Sequence, residues 1–156
     1  MPESVNPKDY IITPASINPM MFMRLAVTLL IVMIFTEASI VKWMEWTAPD
    51  WFIAQFKDSW MGNLPQTPMF LSIAFLETIA AIGAWVSLFT LEWLRPPARI
   101  LRWVLVGVLF IFIMLCFGQR ISGDYSSAAF SFLYFAGTLL MFYVIDHDDR
   151  KQLAKS

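Results

Sequence analysis

Residues 100–117 read ILRWVLVGVLFIFIMLCF, an eighteen-residue run whose single charge, Arg102, stands near its start. At about 1.5 Å per residue such a helix is about 27 Å long, close to the roughly 30 Å hydrocarbon core of a bilayer. Three further apolar runs flank it, at about 20–43, 69–94 and 126–145. Pro68 opens the second and the Pro96-Pro97 pair closes it, because proline lacks the N–H and restricts the residue before it. No period-2 alternation or series of hairpin turns accompanies these runs. With no water in hydrocarbon to satisfy backbone groups, helices remain. The expected fold is therefore all-α, a transmembrane four-helix bundle.

Composition agrees. The 156 residues are 58% hydrophobic and 15% charged, against about 45–50% and about 25% in soluble domains. A net charge of −1 gives no basic field to attract nucleic acid. Cys116 is the sole cysteine, so neither an intrachain disulfide nor a paired-thiol relay can form. His147 is the sole histidine, which rules out a haem held by two histidines of this chain. No phosphate loop, nucleophile elbow or zinc spacing occurs, so no metal ligand set is assigned and no covalently bound cofactor is expected.

Residues 1–19 form a polar, proline-punctuated segment without a signal-peptide pattern, and 146–156 read as a charged tail. Lys8, Arg24, Arg95, Arg99, Arg102, Arg150, Lys151 and Lys155 fall on one side of the four spans; Lys42, Lys57 and Arg120 fall on the other. That bias predicts a multi-pass inner-membrane protein with both termini and both tails cytoplasmic. The loop from about 44 to 68 then faces outward. It holds Trp46, Trp51 and Trp60, with Trp43 just before it, and Phe52, Phe56 and Trp60 recur at helical spacing. Thr47 and Asp50 resemble an acidic capping box, and Pro49 suits an early helical position. A short interfacial helix is expected there, either an aromatic belt or a lid over a site between the helices.

Polar residues gather toward the same side. Glu37 and Lys42 lie near the outer end of the first span, and Glu77 lies about 12 Å into the second. Gln119 and Arg120 end the third, and Asp124 and Tyr125 precede the fourth. The inner half is expected to hold no comparable cluster, with Arg24 and Arg102 reaching the headgroups. A carboxylate near mid-helix costs about 2.5–3.5 kcal/mol on insertion scales, so Glu77 should face protein. Ala74, Ala80, Ala81, Ala84 and Ser87 share its face, with Gly83 alongside, which suits close helix packing. The acids have three readings: structural pairing with Arg120 or Lys42, a protonated carboxyl serving a quinone or a proton relay, or a contact with another subunit. Cys116 reads as a small core residue. His147, among Asp146, Asp148 and Asp149, reads as a solvated helix end rather than a metal site.

The pattern resembles the DoxX-like family of small four-helix membrane proteins over about residues 22–145. Arg24, the segment Ser39-Ile40-Val41-Lys42-Trp43, the loop residues Pro49, Trp51 and Phe52, and Glu77-Thr78-Ile79-Ala80-Ala81-Ile82-Gly83 carry the resemblance. Ser39 stands where the family has glycine. The resemblance implies a membrane subunit of a quinone-linked oxidoreductase system, or an accessory and assembly factor. On this reading Glu77 and Arg120 are the catalytic candidates, as proton carrier and counter-charge. Glu37, Lys42, Gln119, Asp124 and Tyr125 line the pocket. Quinone is the expected non-covalent ligand, and the bilayer and other membrane or redox subunits are the expected partners. A scaffold or assembly subunit is the alternative, and a small transporter ranks last because no inverted repeat is evident.

Overall fold

A computed structural model of the protein describes residues 19–154, so the segment before Pro19 lies outside the described residues. The elements are all helical: α1 (Pro19–Glu45), α2 (Asp50–Phe56), a 3-10 turn (Trp60–Asn63), α3 (Gln66–Phe89), α4 (Arg99–Ile121) and α5 (Tyr125–Leu153). α1, α3, α4 and α5 are each long and apolar enough to cross a membrane. This is the expected four-helix bundle, with outward faces rich in exposed apolar side chains that suit lipid contact.

Helix α1 packs on α3, α3 on α4, and α4 on α5. The core runs from Val27, Ile31 and Phe35 of α1 through Ala80 and Ala84 of α3 to Leu101, Leu105 and Val108 of α4, and Ile145 of α5. The small-residue face of α3 is buried as expected, with Ala74, Ala84 and Ser87 fully enclosed. Gly83 lets α4 approach: a Cβ built there would stand 2.6 Å from Val104 Cγ2. That close approach is what glycine at this position permits.

Several boundaries differ from the sequence reading, each for a physical reason. Helix α3 starts at Gln66, before Pro68. A first-turn proline is tolerated because the first N–H groups of a helix have no intrahelical acceptor. Helix α3 also stops at Phe89, short of Leu94, because Leu91 adopts φ 58°. The N–H groups of Leu91 and Glu92 then donate to Leu88 O and Ser87 O at 3.2 and 3.3 Å, the Schellman pattern of closure. The chain returns so that Glu92 meets the start of α4, accepting hydrogen bonds from Ile100 N (2.9 Å), Leu101 N (3.0 Å) and Ser87 Oγ (2.9 Å).

The expected cap at Thr47 and Asp50 does not form. Pro49 is the N-cap residue of α2, its carbonyl accepting from Phe52 N at 2.9 Å and Ile53 N at 3.1 Å, while Thr47 Oγ1 donates back to Glu45 O. Helix α2 ends at Phe56, so Phe52 and Phe56 are buried but Trp60 is exposed. Phe52, Phe56 and Phe70 interlock as edge-to-face rings and seat α2 on the first turns of α3.

Helix α5 runs on to Leu153, past the expected end of the span at about residue 145, so most of the charged tail is helical. The expectation of an unremarkable inner half is also overturned. Arg24 is 2% exposed, its Nη2 lying 2.6 Å from Asp148 Oδ2 and 2.7 Å from Asp149 Oδ1. Asp149, fully buried, accepts in addition from Ala98 N at 2.9 Å and has Arg102 Nε at 3.5 Å. Asp146 joins Arg102 and Arg150, both at 2.7 Å. Arg24 does not snorkel because two aspartates of α5, Asp148 and Asp149, draw it inward; a buried cation persists where paired carboxylates meet it. This network ties the start of α1 to the end of α5 and places both at one end of the bundle, the terminal end. The opposite end carries α2.

Candidate functional site

At the α2 end, Lys42 and Glu77 form an ion pair inside the bundle. Lys42 Nζ lies 3.0 Å from Glu77 Oε1 and 2.8 Å from Oε2, straddling the carboxylate. Glu77 is 4% exposed, and the Lys42 side chain 20%. Lysine comes from the last turn of α1 and glutamate from eleven residues inside α3, where Ala74 and Ala81 leave room for the approach. Next to the pair, Trp43 Nε1 donates to Thr78 Oγ1 at 2.8 Å, which fixes the register of α1 on α3.

The pair stands on the wall of a cavity of about 380 Å³. Helix α3 supplies Met69, Ile73 and Glu77, spaced four apart along one stripe, and Ser72 beside them. Helix α4 supplies Met114, Leu115, Gly118 and Gln119. Helix α2 forms the remaining side with Trp51, Phe52, Gln55 and Phe56. Helix α2 therefore lies against the space between the spans. Gln55 Nε2 ties α2 to α4 by donating to Ser122 Oγ at 3.3 Å. Gln119 Oε1 accepts from the buried Ser131 Oγ at 2.6 Å, which anchors its amide.

Of the seven residues singled out from the sequence, the structure brings three together: Lys42, Glu77 and Gln119. Arg120 is not the counter-charge of Glu77. It lies two residues beyond Gly118, about 200° round α4, and its guanidinium stacks 4.8 Å above the Tyr125 ring outside the cavity. Tyr125 is accordingly exposed. Glu37 lies five residues before Lys42, about 140° away in helical phase, so it is exposed while Lys42 turns inward. Asp124 serves as the N-cap of α5, accepting from Ser127 N at 3.0 Å.

No family model, curated protein sequence or solved structure matches the chain.

The chemistry of the site is narrow. Lys42 carries three donors, two directed at Glu77, and the remaining one is available to a ligand oxygen. Glu77 can accept, or donate once protonated. Around them the lining is mostly aromatic and aliphatic, with Gln55, Ser72 and Gln119 as its other polar residues. Among the described residues no group of three His, Cys, Asp or Glu side chains is placed to hold a metal. The three aspartates near His147 are taken up by arginines, and His147 itself stacks on Tyr143 at 5.9 Å. Cys116 lies at the α4–α5 seam, half-buried rather than in the core, with Sγ 3.6 Å from Ala128 O.

Gln55, Gly118 and the Met69–Ile73 stripe went unread in the sequence. The stripe had a signal: its fourfold spacing ends on Glu77. Gln55 had none, because its role depends on where α2 docks.

Proposed function

We propose that the protein is a membrane subunit of a quinone-linked oxidoreductase and that the cavity between α1, α2, α3 and α4 receives the quinone ring. The observation that carries this reading is a single buried ion pair on the wall of a mostly apolar space. A volume of about 380 Å³ falls within the roughly 300–1,000 Å³ typical of ligand sites. Such sites join a mostly apolar lining to a few fixed polar groups, and a quinone has the matching form, an apolar ring with carbonyl oxygens. When bound, it would supply the two-electron chemistry that this chain's side chains lack, with electrons coming from a partner subunit.

In this assignment Lys42 Nζ donates to a ring oxygen, and Glu77 holds or releases the accompanying proton at its carboxyl. Trp51, Phe52 and Phe56 exclude water from the ring. Arg120, the counter-charge expected from the sequence, has no part in it. The resemblance to the DoxX-like family points the same way. The eight-to-three distribution of Lys and Arg favours an inner-membrane location with the terminal end in the cytoplasm. Asp146, Asp148 and Asp149 at that end weigh little in such a count, since acidic residues contribute little to orientation.

Photolabelling with an azido-quinone tests the assignment. Label should enter α2 and the Met69–Glu77 stretch of the wild-type protein and fall sharply in Glu77→Gln. Equal labelling of the two proteins, or label confined to other helices, removes the role given to Glu77.

A scaffold subunit is the second reading. It is favoured by the exposed Trp46, Trp51, Ile53 and Trp60 around α2, an aromatic surface that a partner could cover. A mild-detergent pull-down that yields a defined redox partner but no chain-bound quinone would favour it.

A further inference from the structure

A second apolar recess, on the other side of α4, has no place in the reading above. It lies between α4 and α5, encloses about 410 Å³, and is walled by Ile113, Cys116, Phe117, Phe132 and Phe135, with Arg120 among its lining residues. Arg120 is in the last turn of α4, so the cation stands at the shallow end. Ile113 is eight residues before Ile121, about 12 Å along the helix axis, and Phe135 is ten residues beyond Tyr125, about 15 Å. The groove thus descends through about one leaflet of a hydrocarbon core about 30 Å thick.

The cation at its mouth is uncommitted. Among the described residues Arg120 forms no ion pair, and no side-chain hydrogen bond from it is present, whereas Arg24, Arg102 and Arg150 all meet aspartates. The nearest acid in sequence, Asp124, is occupied as the cap of α5. Tyr125 covers one face of the guanidinium and leaves its edge, which carries the N–H donors, open to an anion. Phosphate oxygens match that fork.

We infer that the α4–α5 groove holds an anionic phospholipid, its phosphate paired with Arg120 and an acyl chain lying along Phe117, Phe132 and Phe135. Charge and length argue together: an unpaired guanidinium at headgroup height, above an apolar channel one leaflet deep. A free phosphate would satisfy the cation but leave the channel without an occupant.

Native mass spectrometry of the full chain, offered phosphatidylglycerol or phosphatidylcholine, tests this, with Cys116 alkylation as an internal readout because it is the chain's sole thiol. The wild-type protein should retain phosphatidylglycerol over phosphatidylcholine, and that lipid should slow alkylation of Cys116. R120Q, a change at an exposed side chain, should keep the fold by circular dichroism and lose the preference by about fivefold, the worth of one cation near a membrane surface. Equal retention by R120Q, unchanged Cys116 reactivity, or displacement of the lipid by inorganic phosphate would overturn the assignment.

Discussion

Arg24 and Asp149, 125 residues apart in sequence, meet at 2.7 Å in the interior of the terminal end, each almost wholly removed from solvent. Together they join the first and last spans, which touch little elsewhere. Asp149 also accepts the N–H of Ala98, the N-cap residue of α4, so one carboxylate holds three helices.

Breaking this pair from one side should therefore be costly. Arg24→Met is expected to destabilise the folded protein by about 3–5 kcal/mol, since it leaves the buried Asp149 with only the longer contact to Arg102, and Asp149→Asn by less, since Arg24 keeps Asp148 at 2.6 Å. The double variant should lose less than the sum of the two. Thermal unfolding in detergent, arranged as a double-mutant cycle, measures the coupling.

Gly83 makes a second, steric prediction. An alanine Cβ would meet Val104 Cγ2 at 2.6 Å, and valine in a helix has little rotamer freedom with which to yield. Gly83→Ala should cost about 1–3 kcal/mol through overpacking. Adding Val104→Ala should recover much of that loss.

Asp124 supplies a pH dependence outside the spans. Hydrogen bonding from Ser127, through its side chain and its N–H, holds the Asp124 carboxyl below the usual carboxylate range. A pKa lowered in the folded state contributes stability that is present above the unfolded value and lost as pH falls through the folded one. Acidification should therefore fray the start of α5, seen as a lower protection factor for the Ser127 amide once the intrinsic slowing of exchange in acid is corrected for. Asp124→Asn, which keeps a capping oxygen but does not titrate, should hold that protection factor constant over the same acidification.

The sequence carried the architecture because hydropathy over eighteen or more residues answers to a single constraint, the thickness of the bilayer. It also carried the buried face of α3, because Ala74, Glu77, Ala81 and Ala84 repeat at helical spacing. What it did not carry was azimuth between helices. Glu37 and Lys42 fall in the same half of α1, and Gln119 and Arg120 at nearly one depth in α4, and depth alone cannot say which member of each pair turns inward. Helical phase relative to a known core residue, such as Ser39 for Lys42, separates the first pair. The inward turn of Arg24 escapes the sequence for a related reason. Arginine near a span end can snorkel, and only the fold shows that Asp148 and Asp149 of α5 stand beside it.

On the proposed reading the Lys42–Glu77 pair receives a ligand and does not merely hold helices together. The most direct measurement is the quinone content of protein purified from its own membrane, comparing wild type with the double variant Lys42→Met/Glu77→Met. Replacing both partners of a buried pair by apolar side chains is often neutral for folding, so the variant should unfold near the wild-type temperature. Quinone retained by the wild type and absent from a folded double variant is the predicted result. Equal quinone in both proteins, or none in either, would contradict it.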